Sequence, residues 1–188
     1  MFKKDKNLLK FFQFSFLKKN LRGQIWVETV IYTLIAFVMI SLVLVFANTR
    51  INELQDKAVI DQSVSIMEKI DTIIEDIINV PGNKRFIDLS IKKGTLNIDG
   101  LNDLLIFEIE SAHIYSQPGE DIVYGGVVVH TQKKGELNIV TLTANYSTYN
   151  ITFQKDDESK LISKSSTPYK LFITNNGGNP INIDFELG

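Results

Sequence analysis

The sequence predicts an α+β protein, a long N-terminal hydrophobic helix followed by an antiparallel β-sheet or sandwich domain. Two observations carry that prediction. Between residues 24 and 80 there is neither proline nor glycine, and apolar residues either run without interruption or recur at spacings of three and four. From residue 84 onward the period falls to two, and turn sequences punctuate the chain.

Residues 24–47, QIWVETVIYTLIAFVMISLVLVFA, organise everything else. Residues 30–47 carry no charge, and only Thr33 and Ser41 break the apolar run. At ~1.5 Å per residue, a helix of that extent covers ~27 Å, close to a bilayer's hydrocarbon core. A buried helix of a large soluble core has similar composition, but a chain of 188 residues with 44% apolar content rarely holds one so uniform. Residues 1–23 hold seven Lys and Arg against Asp5 alone, a net of +6, whereas Arg50, Glu53, Asp56 and Lys57 cancel beyond the span. That bias predicts a single-pass protein with its N-terminus cytoplasmic and residues after 47 outside. The run is too long for an ordinary secretory signal, and no small-x-small cleavage site follows it. Within the basic leader, Leu8, Leu9, Phe11, Phe12, Phe14, Phe16 and Leu17 alternate with lysines. This reads either as an amphipathic segment on anionic lipid or as a plain basic tail.

Arg22-Gly23-Gln24 stands just before the run, and Glu28 follows four residues after Gln24. Here the sequence resembles archaeal type IV pilin-like proteins with class III signal peptides. In that family a short basic leader is cut on the cytoplasmic side between Gly and Gln, and the hydrophobic helix is retained. The pattern Q-x-S-x-E-x-x-x-L is met at Gln24 and Glu28 but not at Trp26 or Tyr32, where Ser and Leu are usual. The motif covers roughly residues 18–47, and the rest matches the family only in layout. The resemblance implies cleavage between Gly23 and Gln24 by a leader peptidase. It also implies a filament in which Glu28 pairs with the N-terminal amine of a neighbouring subunit.

Residues 48–80 extend the helix in amphipathic form. Ile51, Leu54, Ala58, Val59, Ile66, Ile70, Ile73 and Ile77 form the apolar stripe, with Met67, Ile74 and Ile78 beside it. Asp61, Ser65, Glu68, Thr72, Glu75 and Asn79 line the opposite face. Pro81-Gly82 ends the helix at Asn79 or Val80. The partner for the stripe is the β-rich domain of residues 83–188, where alternation predicts seven or eight short strands. They are centred on Ile87/Leu89/Ile91, Leu96/Ile98, Leu105/Phe107/Ile109, residues 127–129, Leu137 to Leu142, Ile151/Phe153, Leu171/Ile173 and Ile181 to Leu187. The alternation changes phase between Leu137/Ile139 and Val140/Leu142, which predicts a bulge. A short echo, Lys92-Lys93-Gly94-Thr95-Leu96-Asn97-Ile98 against Lys133-Lys134-Gly135-Glu136-Leu137-Asn138-Ile139, reads as two hairpins with the same turn chemistry.

The chain after Gly23 carries 13 basic and 21 acidic residues, so no basic stripe for nucleic acid is expected. With no cysteine, disulfides and thiolate metal sites are excluded. His113 and His130 lack a matching acid pattern, and Asp156-Asp157-Glu158 lacks the spacing of a calcium loop, so it reads as a solvated turn. No enzyme constellation, cofactor site or metal site is expected. Asn145-Tyr146-Ser147 and Asn150-Ile151-Thr152 are glycosylation sequons on the exported side, making Asn145 and Asn150 candidate acceptors.

The resulting expectation is a structural subunit of a type IV pilus-like surface filament, processed at its leader and assembled through its N-terminal helix. Its expected partners are membrane lipid, the leader peptidase, and copies of itself or related pilins. A non-polymerising, membrane-anchored surface binding protein is the other reading of the same layout.

Overall fold

The freedom from helix breakers between residues 24 and 80 is used in full. In a computed structural model that describes residues 21–188, with side chains from residue 26, a single helix α1 spans Leu21–Ile77, 57 residues without a break. The leader's amphipathic stretch lies outside the described residues. The helix stops two residues earlier than the proline rule predicts. The Asn175 side-chain amide donates to the carbonyl oxygens of Ile77 and Ile78 at 2.8 and 2.9 Å, satisfying groups that would otherwise have no partner at the helix end. A turn closed by Val80 N–H on the Ile77 carbonyl then leads into Pro81.

Two compact units meet in sequence between Thr49 and Arg50. The first holds the apolar half of α1. The second holds its amphipathic half and ten strands: β1 (Lys84–Leu89), β2 (Thr95–Asp99), β3 (Leu104–Ser111), β4 (Asp121–Tyr124), β5 (Val127–Lys134), β6 (Leu137–Asn145), β7 (Asn150–Phe153), β8 (Ser159–Ser163), β9 (Tyr169–Gly177) and β10 (Asn182–Leu187). They form a four-stranded sheet, β1-β9-β10-β7, and a six-stranded sheet, β4-β5-β6-β3-β2-β8. Both sheets and the helix contribute to one apolar core. The α+β layout holds, with three corrections.

First, β7 and β10 pair in parallel, so the smaller sheet is mixed. Second, β6 has no bulge. Its pairing with β3 and β5 runs in unbroken register, and the core face is Asn138, Val140, Leu142 and Ala144. Leu137 and Ile139 lie on the other face, and the apparent phase change arises because the polar Asn138 takes a core position, its amide 3.4 Å from the Ser111 carbonyl. Third, the echoed sequence does two different jobs. Lys134-Gly135 turns the β5–β6 hairpin, whereas Lys93-Gly94 crosses from one sheet to the other. Gly94 has φ +86°, and a Cβ there would run into the Glu108 carbonyl oxygen, so only glycine fits this crossing.

The helix seam is also rotated from the expected stripe. Asp56, Ile60, Ser63, Met67, Ile70, Ile74 and Ile77 are all buried, with Val64 and Ile66 beside them. These positions step by four and three alternately, a seam of the 3.5-residue kind. Of the expected stripe, Ile66, Ile70 and Ile77 are buried and Ile73 is half-buried, while Ile51 and Leu54 are 48% and 66% exposed. The polar face, from Asp61 to Asn79, is placed as predicted, with Ser65 half-buried at its edge.

Full burial of a side chain such as Ile70 is worth roughly 1.5–3 kcal/mol, and a charge introduced there finds no partner. Ile70→Asp is therefore expected to cost about 3–5 kcal/mol, whereas Ile51→Asp should stay within about 0.5 kcal/mol. Urea unfolding of the two variants in detergent reads that difference directly; equal costs would mean that the seam is misplaced.

Candidate functional site

Every apolar side chain from Trp26 to Phe46 is exposed. Among the described residues, one helix is long and apolar enough to cross a membrane, and none of its most apolar eighteen-residue window is buried. Composition explains why this stretch is helical and lipid-compatible at once. Its backbone groups bond within the helix, and three of its hydroxyls fold back on carbonyls four residues earlier. Thr33 donates to Thr29 and Ser41 to Phe37, both at 2.8 Å, and Thr49 to Val45 at 3.3 Å. A side chain bonded this way asks nothing of water.

Glu28 is the one charged side chain between Trp26 and Thr49. It is exposed and accepts a 3.1 Å hydrogen bond from the Tyr32 hydroxyl, one helical turn on. The backbone of Gly23 and Gln24 lies within α1, and the Gln24 side chain falls outside the described residues. The structure therefore places Gly23, Gln24 and Glu28 on one helix.

Within the second unit, polar pins fasten the amphipathic half of α1 to the β domain. Asp56, only 7% exposed, accepts from Lys93 Nζ at 2.5 Å and from the Ala112 N–H at 2.6 Å. Asp61 accepts from the Tyr115 hydroxyl at 2.9 Å, and Asp71 from that of Tyr146 at 3.2 Å. Burial pushes both phenols well above the ordinary tyrosine value, and the neighbouring carboxylates, with Tyr124 beside Tyr115, push the same way. They stay protonated donors throughout the physiological range. Asn175 completes the series at the helix end. Sequence reasoning missed Asp56, Asp71, Tyr146 and Asn175. The one available signal was a carboxylate at position 56 where the seam's spacing wants an apolar residue.

The remaining candidates separate. Asn145 ends β6, is exposed, and takes the Ser147 N–H on its Oδ1 at 2.9 Å. Asn150 opens β7 half-buried, paired with Asn182. The connection between them is fastened by Tyr146, which is buried. His113 stands edge-on to Tyr115, while His130 Nδ1 lies 2.7 Å from Asp121. Asp156, Asp157 and Glu158 are exposed in the turn between β7 and β8. Among the described residues, no three His, Cys, Asp or Glu side chains are grouped closely enough to hold a metal ion. Asp99, the last residue of β2, is held below the ordinary carboxylate range chiefly by the Asn102 amide, with Ser159 and the Leu101 N–H adding to it against the opposing effect of burial.

No protein family, curated protein or solved structure gives a significant match to the chain.

Removing the Asp56 carboxylate strands a backbone N–H beside the core. Asp56→Ala should destabilise the second unit by about 1–3 kcal/mol. Lys93→Ala should cost less, because the lysine side chain is 42% exposed and the Ala112 N–H keeps its acceptor. Denaturant midpoints of the two variants in detergent test the order; a larger loss from Lys93→Ala would reverse it.

Proposed function

We propose that the chain is a structural subunit of a type IV pilus-like surface filament, cut between Gly23 and Gln24 and assembled through the apolar half of α1. Its work is packing rather than catalysis. The observation that carries the reading is an uninterrupted, wholly uncovered apolar helix surface directly after Arg22-Gly23-Gln24, with a lone carboxylate at Glu28. Before assembly that surface lies in lipid, with the leader cytoplasmic and the β domain outside. After assembly it meets the same surface on neighbouring copies, where close van der Waals packing replaces lipid. Glycosylation at Asn145 or Asn150 is compatible with that topology.

Among the described residues, Tyr32, standing where the resembled family carries Leu, gives the Glu28 carboxylate a neutral donor. A carboxylate moved from an interface into a low-dielectric filament core needs a cation. Cleavage after Gly23 creates one, the α-amine of Gln24 on an adjacent subunit, and the pair would set the axial register between helices.

Two variants separate processing from assembly. Gly23→Phe should accumulate a precursor heavier by the leader, seen by intact mass in the native host. Glu28→Gln should insert and lose its leader normally, yet give at least tenfold fewer filaments by electron microscopy of sheared cells. Filaments of Glu28→Gln at wild-type number and length would reduce Glu28 to an interfacial residue.

A further inference from the structure

The echoed Lys-Lys-Gly turns end up together although they perform different turns. Lys134 pairs with Leu137 and Lys133 with Asn138 across the β5–β6 hairpin. Asn138 pairs in turn with Ser111, the last residue of β3. The next residue, Ala112, donates its N–H to Asp56, and Asp56 also holds Lys93. A single cleft is lined by Asn52, Gln55, Lys92, Lys93, Ala112 and Leu137. Both lysine pairs therefore sit at the end of the β domain where α1 enters it.

That end differs electrostatically from the rest. The second unit carries 13 basic and 20 acidic residues, a net of −7. Around the cleft, the exposed Lys57, Lys92, Lys133 and Lys134 stand against the exposed Glu108, Glu110 and Glu136, while Asp56 is occupied by Lys93 and Glu53 by Arg50. Leu137 is exposed among the lysines, the mixture of cations and apolar side chain that suits a headgroup layer. Chain length supplies the second argument. Asp56 follows Ala47, the last residue of the apolar run, by nine residues, so even fully extended chain keeps this end within ~30 Å of the point where the chain leaves the membrane. An acidic domain tethered so closely to anionic lipid is repelled unless it turns a basic end toward it.

We propose that this end, built from Lys92, Lys133, Lys134 and Leu137, is a docking face for anionic lipid headgroups that seats the β domain on the outer membrane surface before assembly. The inference rests on the membrane reading of the apolar helix. Each of the three lysines favours the seated state about fivefold, and together about a hundredfold. Because ordinary salt screens beyond ~8 Å, the effect belongs to close contact rather than long-range steering.

The test uses the full chain in vesicles of phosphatidylcholine, with or without one third phosphatidylglycerol. The chain has no cysteine and one tryptophan, so both probes are unambiguous. Quenching of Trp26 by tail-brominated lipid reports insertion of the helix in either vesicle. A fluorophore at Gln132→Cys reports seating through a headgroup-attached quencher, and one at Ser147→Cys, beyond the far end of β6, serves as the control. Seating predicts quenching at residue 132 but not 147, only with phosphatidylglycerol, and abolished by joint Lys92→Gln, Lys133→Gln and Lys134→Gln or by 0.5 M salt. The joint variant leaves the Lys93–Asp56 contact intact. Equal signals at residue 132 in both vesicles, or a signal untouched by the joint variant, with Trp26 quenched, would overturn the docking face alone. An unquenched Trp26 would overturn the membrane reading and the docking face with it.

Discussion

An apolar helix surface that the chain does not bury is the constraint on which the rest depends. From Trp26 to Phe46 the apolar side chains of α1 are exposed, and each large one left in water forgoes roughly 1.5–3 kcal/mol. A surface of this size is tolerated only where lipid or other apolar helices cover it. The same helix, from Asp56 on, buries its seam against its own β domain. One continuous element thus has an exposed apolar half and a half packed on its own domain, and residues 48–55 separate them. Ile51 and Leu54 lie in that interval, exposed, and belong to neither core.

The β domain's hold on the helix combines an apolar seam with polar fastenings, and the two serve different ends. Ile60, Met67, Ile70, Ile74 and Ile77 supply burial, which is strong but does not specify register, because a shift of one helical turn presents a similar row of isoleucines. Asp56, Asp61, Asp71 and the Asn175 cap each need one partner at one height along the helix: Lys93 with Ala112, Tyr115, Tyr146, and the Ile77 and Ile78 carbonyls. Sliding the helix would break all four at once and leave buried polar groups unsatisfied. The amphipathic half of α1 is thereby held in one register against the β domain.

What the sequence made legible follows from period and composition. The absence of Gly and Pro from residues 24–80 announced the helix, and Ile181, Ile183, Phe185 and Leu187 announced a strand that begins at Asn182. Edge strands were harder. In β4 no residue is fully buried, and in β8 only Ile162 is, so neither shows alternation. The seam was misjudged at Asp56 and Ser63, because buried polar residues interrupt an apolar count while obeying the geometry. Asn138 misled in the same way, mimicking a bulge. The candidate assembly residues were legible only as a local motif at Gly23, Gln24 and Glu28. The pins were not, since Asp71 with Tyr146 and Asn175 with Ile77 join residues 75 and 98 positions apart.

We propose that the apolar helix becomes the N-terminus of a processed subunit. Intact mass spectrometry of the protein recovered from its native membranes and from sheared surface material measures that terminus. A processed subunit begins at Gln24 in both fractions, lighter by residues 1–23 and further changed only by cyclisation of that glutamine or by glycan. A native protein that retains Met1 and the basic leader, found only in the membrane fraction, would contradict it.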